Sequence, residues 1–201
     1  DTGRNYFSQT DWSGSNYFGQ SGGIDDGAIG EIKMLASGGK YSTSTEEWLV
    51  SNTFDLGTAS TTFFRIDWQS AIQPAQTGTD SLKIQIAANN DNNTWNFLGP
   101  DGATNTFYTA TGTQISAIHN GSRYLRYKIF MKTQDENFTP SLENISFNYR
   151  SSCIISGHVL FSGLSSGDFN LTAQRSGYQL ATSTISISND WQENRIEMIK
   201  L

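Results

Sequence analysis

Hydrophobic and polar residues alternate with period two along most of this chain, most clearly between Arg123 and Tyr149. In the run RYLRYKIFMK, Leu125, Tyr127, Ile129 and Met131 fall on one face, and Arg126, Lys128 and Lys132 on the other. In the run ENISFNY, Ile145, Phe147 and Tyr149 alternate with Asn144, Ser146 and Asn148. Such alternation predicts antiparallel strands with one face in a core and one in water. Pro140 stands just before the second run, where its missing N–H does little harm.

The same period recurs on either side. Strands are predicted over 30–36 and over 41–54, the latter with Trp48, Val50, Asn52 and Phe54 on one face. Over 62–68 the pattern sends Phe64, Ile66 and Trp68 one way and Phe63, Arg65 and Asp67 the other; over 81–88 it sends Leu82, Ile84 and Ile86 inward and Lys83 and Gln85 outward. Further strands are expected at 94–98, 106–111 and 115–118. They are separated by turn signals at Asp55-Leu56-Gly57, Gly99-Pro100-Asp101-Gly102 and His119-Asn120-Gly121. Residues 1–30 read as coil pinned to a sheet by Tyr6, Phe7, Trp12, Tyr17 and Phe18, with one short strand. About eight or nine strands spaced by roughly ten residues fit a β-sandwich. The pattern restarts after Arg150-Ser151-Ser152, with strands expected over 155–161, 169–173, 180–188 and 195–201 around a Ser176-Gly177 turn. A unit of about fifty residues buries only about 60% of its unfolded surface. It is expected to pack on the first unit or to borrow a strand from a neighbour.

Composition changes the picture in two places. The apolar fraction is only 36%, so the 12 Phe, 8 Tyr and 5 Trp must supply much of the core area, Trp48, Trp68 and Trp95 among them. The net charge of −6, with 13 scattered Lys and Arg, leaves no basic face to gain from phosphate contacts. Nucleic acid and anionic lipid are therefore not expected partners. Cys153 is the only cysteine and reads as a small buried residue at a strand start. A cysteine-poor chain rich in Asn, Ser and Thr points to an extracellular or cell-surface setting. With no 18-residue apolar run, no direct membrane insertion of this fragment is expected. Asp1 is not a natural start and suggests a mature or excised piece.

With these residues in view, the blocks WLVSNTFDLG, FRIDWQSAIQPAQTGTDSLKIQIAANNDNNTW and RYLRYKIFMK…TPSLENISFNY resemble the jelly-roll or discoidin-like β-sandwich modules of bacterial surface and pilin-like proteins. The likeness covers roughly residues 41–150. The tail, through ISGHVLFSG and FNLTAQRSGY, resembles the short carboxypeptidase-regulatory or transthyretin-like β modules, without their usual late G.Y/F strand. The resemblance implies an all-β chain: a jelly-roll-like antiparallel β-sandwich over 1–150, followed by a small Ig/transthyretin-like β-sandwich unit over 153–201. It also implies a structural or adhesive role without catalysis.

Candidate chemistry is sparse. His119 sits in a turn, and His158 alternates with Ser156 on a strand's water face. No nucleophile elbow, HExxH or phosphate-cradling glycine loop is present. Asp25-Asp26, Glu46-Glu47 and Asp135-Glu136 are loop carboxylates, so no enzyme is expected. Oxygen-rich loops at Asp25-Asp26-Gly27 and Asn89-Asn90-Asp91-Asn92-Asn93 make Asp25, Asp26, Asn89 and Asp91 candidate Ca²⁺ ligands. Jelly-roll modules often bind glycans through aromatics at loop ends, which makes Trp12, Tyr17, Phe18, Tyr41 and Trp95 candidate ligand-stacking residues. The expected function is thus a non-catalytic structural or adhesive module of a bacterial surface appendage or large surface protein. Its expected partners are other copies of itself, in a self-assembling filament subunit, or neighbouring surface proteins. The alternative is a carbohydrate-binding module that recognises glycans through exposed aromatics.

Overall fold

In a computed structural model, which describes residues 5–151, 164–188 and 195–201, the alternation between Tyr124 and Met131 is realised without exception. Leu125, Tyr127, Ile129 and Met131 are each 0% exposed, and the residues between them are half-buried on the opposite face. This strand is the centre of a sheet around which the first of two compact units, Asp1–Cys153, is built; the second unit is Ile154–Leu201.

The strands of the first unit are β1 (Asn5–Gln9), β2 (Gly19–Gln20), β3 (Ile24–Asp25), β4 (Ile32–Met34), β5 (Glu47–Val50), β6 (Phe54–Asp55), β7 (Thr61–Gln69), β8 (Leu82–Asn89), β9 (Thr113–Gln114), β10 (Tyr124–Met131), β11 (Ser141–Leu142) and β12 (Asn144–Ser151). All pairings are antiparallel. One sheet runs β1-β12-β7-β9. A second has β10 at its centre, with β8 along one side, β5 and β6 along the other, and β2 beyond β5. A third is β11-β4-β3. The fold is an all-β sandwich.

The two alternating runs that stand out in the sequence lie in different sheets. β10 belongs to one layer and β12 to the other, and their apolar faces meet across the core. The Phe147 ring of β12 stacks on Tyr127 of β10 at 5.6 Å. Phe7 of β1 stacks on Phe147 at 4.8 Å and on Phe54 of β6 at 4.3 Å, extending the aromatic seam between layers. Offset ring pairs of this kind contribute about 0.5–1.5 kcal/mol each beyond their buried area. The N-terminal stretch is more ordered than a pinned coil, since β1 pairs with β12 from Asn5–Tyr149 to Gln9–Ile145 and two further short strands follow.

Several expected faces are reversed, each for a physical reason. In β5, Leu49 is the fully buried residue and Trp48 is half-buried on the outer face. Opposed residues in an antiparallel pair share a face, and Leu49 opposes Ile129 while Trp48 opposes Phe130. The strand expected over 41–54 is also broken into β5 and β6, which pair with opposite ends of β10. In β7, Ile66 and Trp68 are buried on the expected face, but Phe63 is 3% exposed and Phe64 is half-buried, so the parity reverses at these two residues alone. The register slips between Asn148 and Tyr149, which oppose Arg65 and Phe63, so Phe64 is the extra residue of a β-bulge.

The strands expected over 94–98 and 106–111 shrink to single bridges, Leu98 to Ile86 and Tyr108 to Ile84. These two bridges lay the loop along the outer edge of β8 and occupy backbone groups that would otherwise template another strand. Gln85 is thereby buried, its amide donating to the carbonyls of Thr104 at 2.8 Å and Thr106 at 2.9 Å. Within this loop Gly99 and Gly102 close the expected turn, with the Gly102 N–H donating to the Gly99 carbonyl at 3.0 Å. The strand expected over 115–118 is instead a 3-10 turn at Ala117–His119 following β9.

In the second unit, β13 (Gly167–Ala173) and β14 (Ala181–Ile187) form a hairpin with Phe169, Leu171, Ile185 and Ile187 half-buried on one face. The stretch expected as a strand over 195–201 contributes a Tyr178–Lys200 bridge, with the Gln179 N–H donating to the Ile199 carbonyl. Cys153, His158 and the strand expected over 155–161 lie outside the described residues.

Candidate binding face

The outer face of the β10 sheet is an interleaved set of cations and aromatic rings. On β10 the outward positions are Tyr124, Arg126, Lys128 and Phe130. Register brings Trp48 of β5 and Lys83 of β8 to either side of Phe130. The Lys128 Nζ lies 4.8 Å from the centroids of both Trp48 and Phe130. The Lys83 Nζ lies 4.2 Å from the Phe107 ring, which meets Phe130 edge-on at 5.3 Å. Further along, the Arg126 guanidinium sits between Phe18 at 3.9 Å and Trp95 at 4.3 Å. Each such contact is worth about 0.5–1 kcal/mol at an exposed site.

The described cations divide by whether a carboxylate lies close. Lys33, Lys40, Arg65, Lys83, Arg123 and Arg195 each have a carboxylate oxygen within 3.7 Å. Among the described residues, Arg126, Lys128, Lys132, Arg150, Arg175 and Lys200 have none at ion-pair distance, and of these Arg126 and Lys128 are half-buried while the other four are exposed. Partial burial lowers the pKa of Arg126 and Lys128; for Lys128 the charge of nearby Glu46 works the other way. The Arg126 Nε donates to Thr53 Oγ1 at 2.8 Å, which orients the planar fork.

The expected stacking residues separate into three environments. Trp12 is a correction: it is 0% exposed, its indole N–H donating to the Tyr127 hydroxyl at 2.9 Å, so its ring presents no face to a ligand. Tyr17 and Tyr41 are half-buried against the core; the Tyr17 hydroxyl accepts from Gln20 Nε2, and the Tyr41 backbone N–H donates to Glu136. Phe18 and Trp95 are brought together on Arg126. Trp95 is half-buried there and is not a core residue. Sequence reasoning missed Trp48, Phe107 and Phe130 as members of this face. Phe130 carried a usable signal: it is an aromatic on the water side of an alternating strand.

Oxygens of these loops close their own turns. Asp91 Oδ1 accepts the N–H groups of Asn93 and Thr94, and Oδ2 accepts the Thr94 hydroxyl; these bonds pull its pKa down to about 2. Asn89 Oδ1 accepts the Asn92 N–H. Asp25 Oδ1 accepts the Gly27 N–H, and Asp26 follows it half-buried in a separate connection. Among the described residues no group of three or more His, Cys, Asp or Glu side chains is placed to hold a metal ion.

Other titratable groups are also engaged. His119 lies in the expected turn and is buried there: it is 2% exposed, its Nε2 has no hydrogen-bond partner, and burial pushes its pKa down to about 4. Glu46 pairs with Lys83 at 2.7 Å, while Glu47 accepts the hydroxyls of Ser21 and Thr45. Asp135 Oδ1 accepts the Asn137 N–H. Compared with protein-family models, with curated proteins and with solved structures, the chain shows no match to any of them.

Proposed function

We propose that this chain is a non-catalytic, extracellular structural or adhesive module of a bacterial surface appendage or large surface protein, and that it attaches through the outer face of the β10 sheet. One observation carries the reading: rings and cations alternate on the water side of the most regular sheet. Charged and aromatic groups held in register on rigid strands form a pre-organised contact surface, which lowers the ordering cost of binding. The test is an array of glycans and surface proteins probed with the full chain and with Trp48→Ala. Selective binding that Trp48→Ala loses supports the reading. Binding that the variant retains in full sinks it.

Self-association into filaments is a second form of the same role. It is favoured by exposed apolar side chains in the second unit, where Leu180, Ile199 and Leu201 are 62%, 66% and 79% exposed around the Tyr178–Lys200 bridge. Exposed apolar side chains on strand-like segments favour contact with another chain. Light scattering and negative-stain microscopy across a concentration series test this form: growing oligomers support it and a constant monomer removes it.

A further inference from the structure

We propose that the Arg126–Lys128 segment of the outer sheet face binds an acidic polysaccharide, with its carboxylates on these two cations and its sugar rings against the flanking aromatics. The inference rests on the adhesive reading above and names the ligand class for that face.

Three observations converge. The first is charge complementarity: in a chain of net charge −6, Arg126 and Lys128 are half-buried cations with no carboxylate at ion-pair distance among the described residues. Holding an unpaired cation in a partly dry site costs free energy that an incoming anion would return. The second is donor geometry. Arg126 commits Nε to Thr53 and leaves its two terminal NH₂ groups without a hydrogen-bond partner among the described residues. Those groups can grip a carboxylate as charge-assisted donors. The third is the track itself. Arg126 and Lys128 are two residues apart on one strand, a spacing of about 7 Å, and rings flank both of them. Flat apolar rings suit the C–H faces of sugars, and an open strand face suits an extended polymer.

A neutral glycan would leave both cations unpaired, so it fits this face less well. A nucleic acid would use the rings and cations together, but it draws its affinity from many released counterions, and two cations release few.

The experiment is calorimetric titration of the full chain with polygalacturonate. Neutral galactan, poly-glutamate and oligo-dT are run alongside. Arg126→Gln, Lys128→Gln and, as a charge-matched control on the other sheet, Arg150→Gln are titrated in parallel, with thermal melts to verify folding. The expected result is polygalacturonate binding that weakens as salt rises. Arg126→Gln and Lys128→Gln should each lose about tenfold, the equivalent of one charge-assisted hydrogen bond, and Arg150→Gln should lose nothing. Equal binding of galactan, unaffected by the two glutamine variants but lost in Trp48→Ala, would overturn the acidic ligand and leave the adhesive reading standing. Equal binding of poly-glutamate or oligo-dT would overturn the polysaccharide. Silence from every probe would overturn the inference, and the array above then judges the adhesive reading separately.

Discussion

Removing one buried oxygen tests the account of the core most directly. The Tyr127 ring is 0% exposed, and its hydroxyl joins two segments more than a hundred residues away in sequence: it accepts from the Trp12 indole N–H and donates to Gln9 Oε1. Burial raises the phenol's pKa far above its ordinary value, so it remains a donor at every pH the fold survives. Tyr127→Phe keeps the ring stacked on Phe147 and opens little space, but it strands two polar groups. The Trp12 N–H is in a fully buried residue, and Gln9 is 8% exposed with its Nε2 already donating to Asp11 and Asn16.

A buried donor or acceptor left unpaired costs about 1–3 kcal/mol. Allowing for partial relaxation, Tyr127→Phe should destabilise by about 2–4 kcal/mol. Urea unfolding followed by tryptophan fluorescence would show a lower midpoint at an unchanged m-value. A cycle with Trp12→Phe separates the hydrogen bond from packing, because residues sharing one network are non-additive. A loss below about 0.5 kcal/mol, or strictly additive single mutants, would refute the buried network.

Three other perturbations probe separate parts of the structure. Phe63→Ala should cost about 3–4 kcal/mol, as a large ring removed from a core does, and Phe64→Ala less than half of that; equal costs in urea unfolding would remove the bulge in β7. Gly99→Ala should cost at least about 2 kcal/mol, because its Cβ would sit 2.4 Å from the Thr106 carbonyl carbon. Gly102→Ala meets nothing nearer than 3.7 Å and carries only the strain of φ +82°, about 1–2 kcal/mol; the reverse order would refute the loop's placement. His119 is held neutral by burial down to about pH 4, whereas the unfolded chain takes up the proton near 6.5. Its contribution is therefore complete above pH 6.5 and is lost as pH falls toward 4, by about 3 kcal/mol. Stability curves that run parallel for the native chain and His119→Leu across that range would refute it.

What was legible in the sequence was parity within a strand whose neighbours left no choice. In β10 every second residue is apolar, so the core face follows from period two alone, and the same holds for Ile145 and Phe147 in β12. In β5 the run Trp48-Leu49-Val50 is apolar at both parities, and only the pairing of Leu49 with Ile129 decides which side enters the core. Phe63 and Phe64 pose the same ambiguity, resolved by a register slip that no local pattern announces. Trp12 stands between Asp11 and Ser13 in a polar stretch that suits either a pinning ring or a ligand-stacking one; it is buried, and the Tyr127 hydroxyl satisfies its N–H. The proposed binding face was half visible: Arg126 and Lys128 read as outward, but the rings beside them come from β2's approach, β5 and the long loop after β8.

Core and proposed binding face are two sides of one register. Odd positions of β10 supply the core and even positions supply the cations, so a one-residue slip would exchange them outright. Eight pairs to β8 and four to β5 fix that register through the backbone, independently of any one side chain. Tyr127→Phe should therefore lower stability while leaving Arg126, Lys128 and Trp48 in place on the other side. Ligand affinity measured well below the melting transition should match that of the native chain. Stability and recognition can thus be perturbed one at a time, although the residues responsible are adjacent in sequence. Conversely, Arg126→Gln should weaken binding while costing the fold little more than the cation–π contacts it gives up.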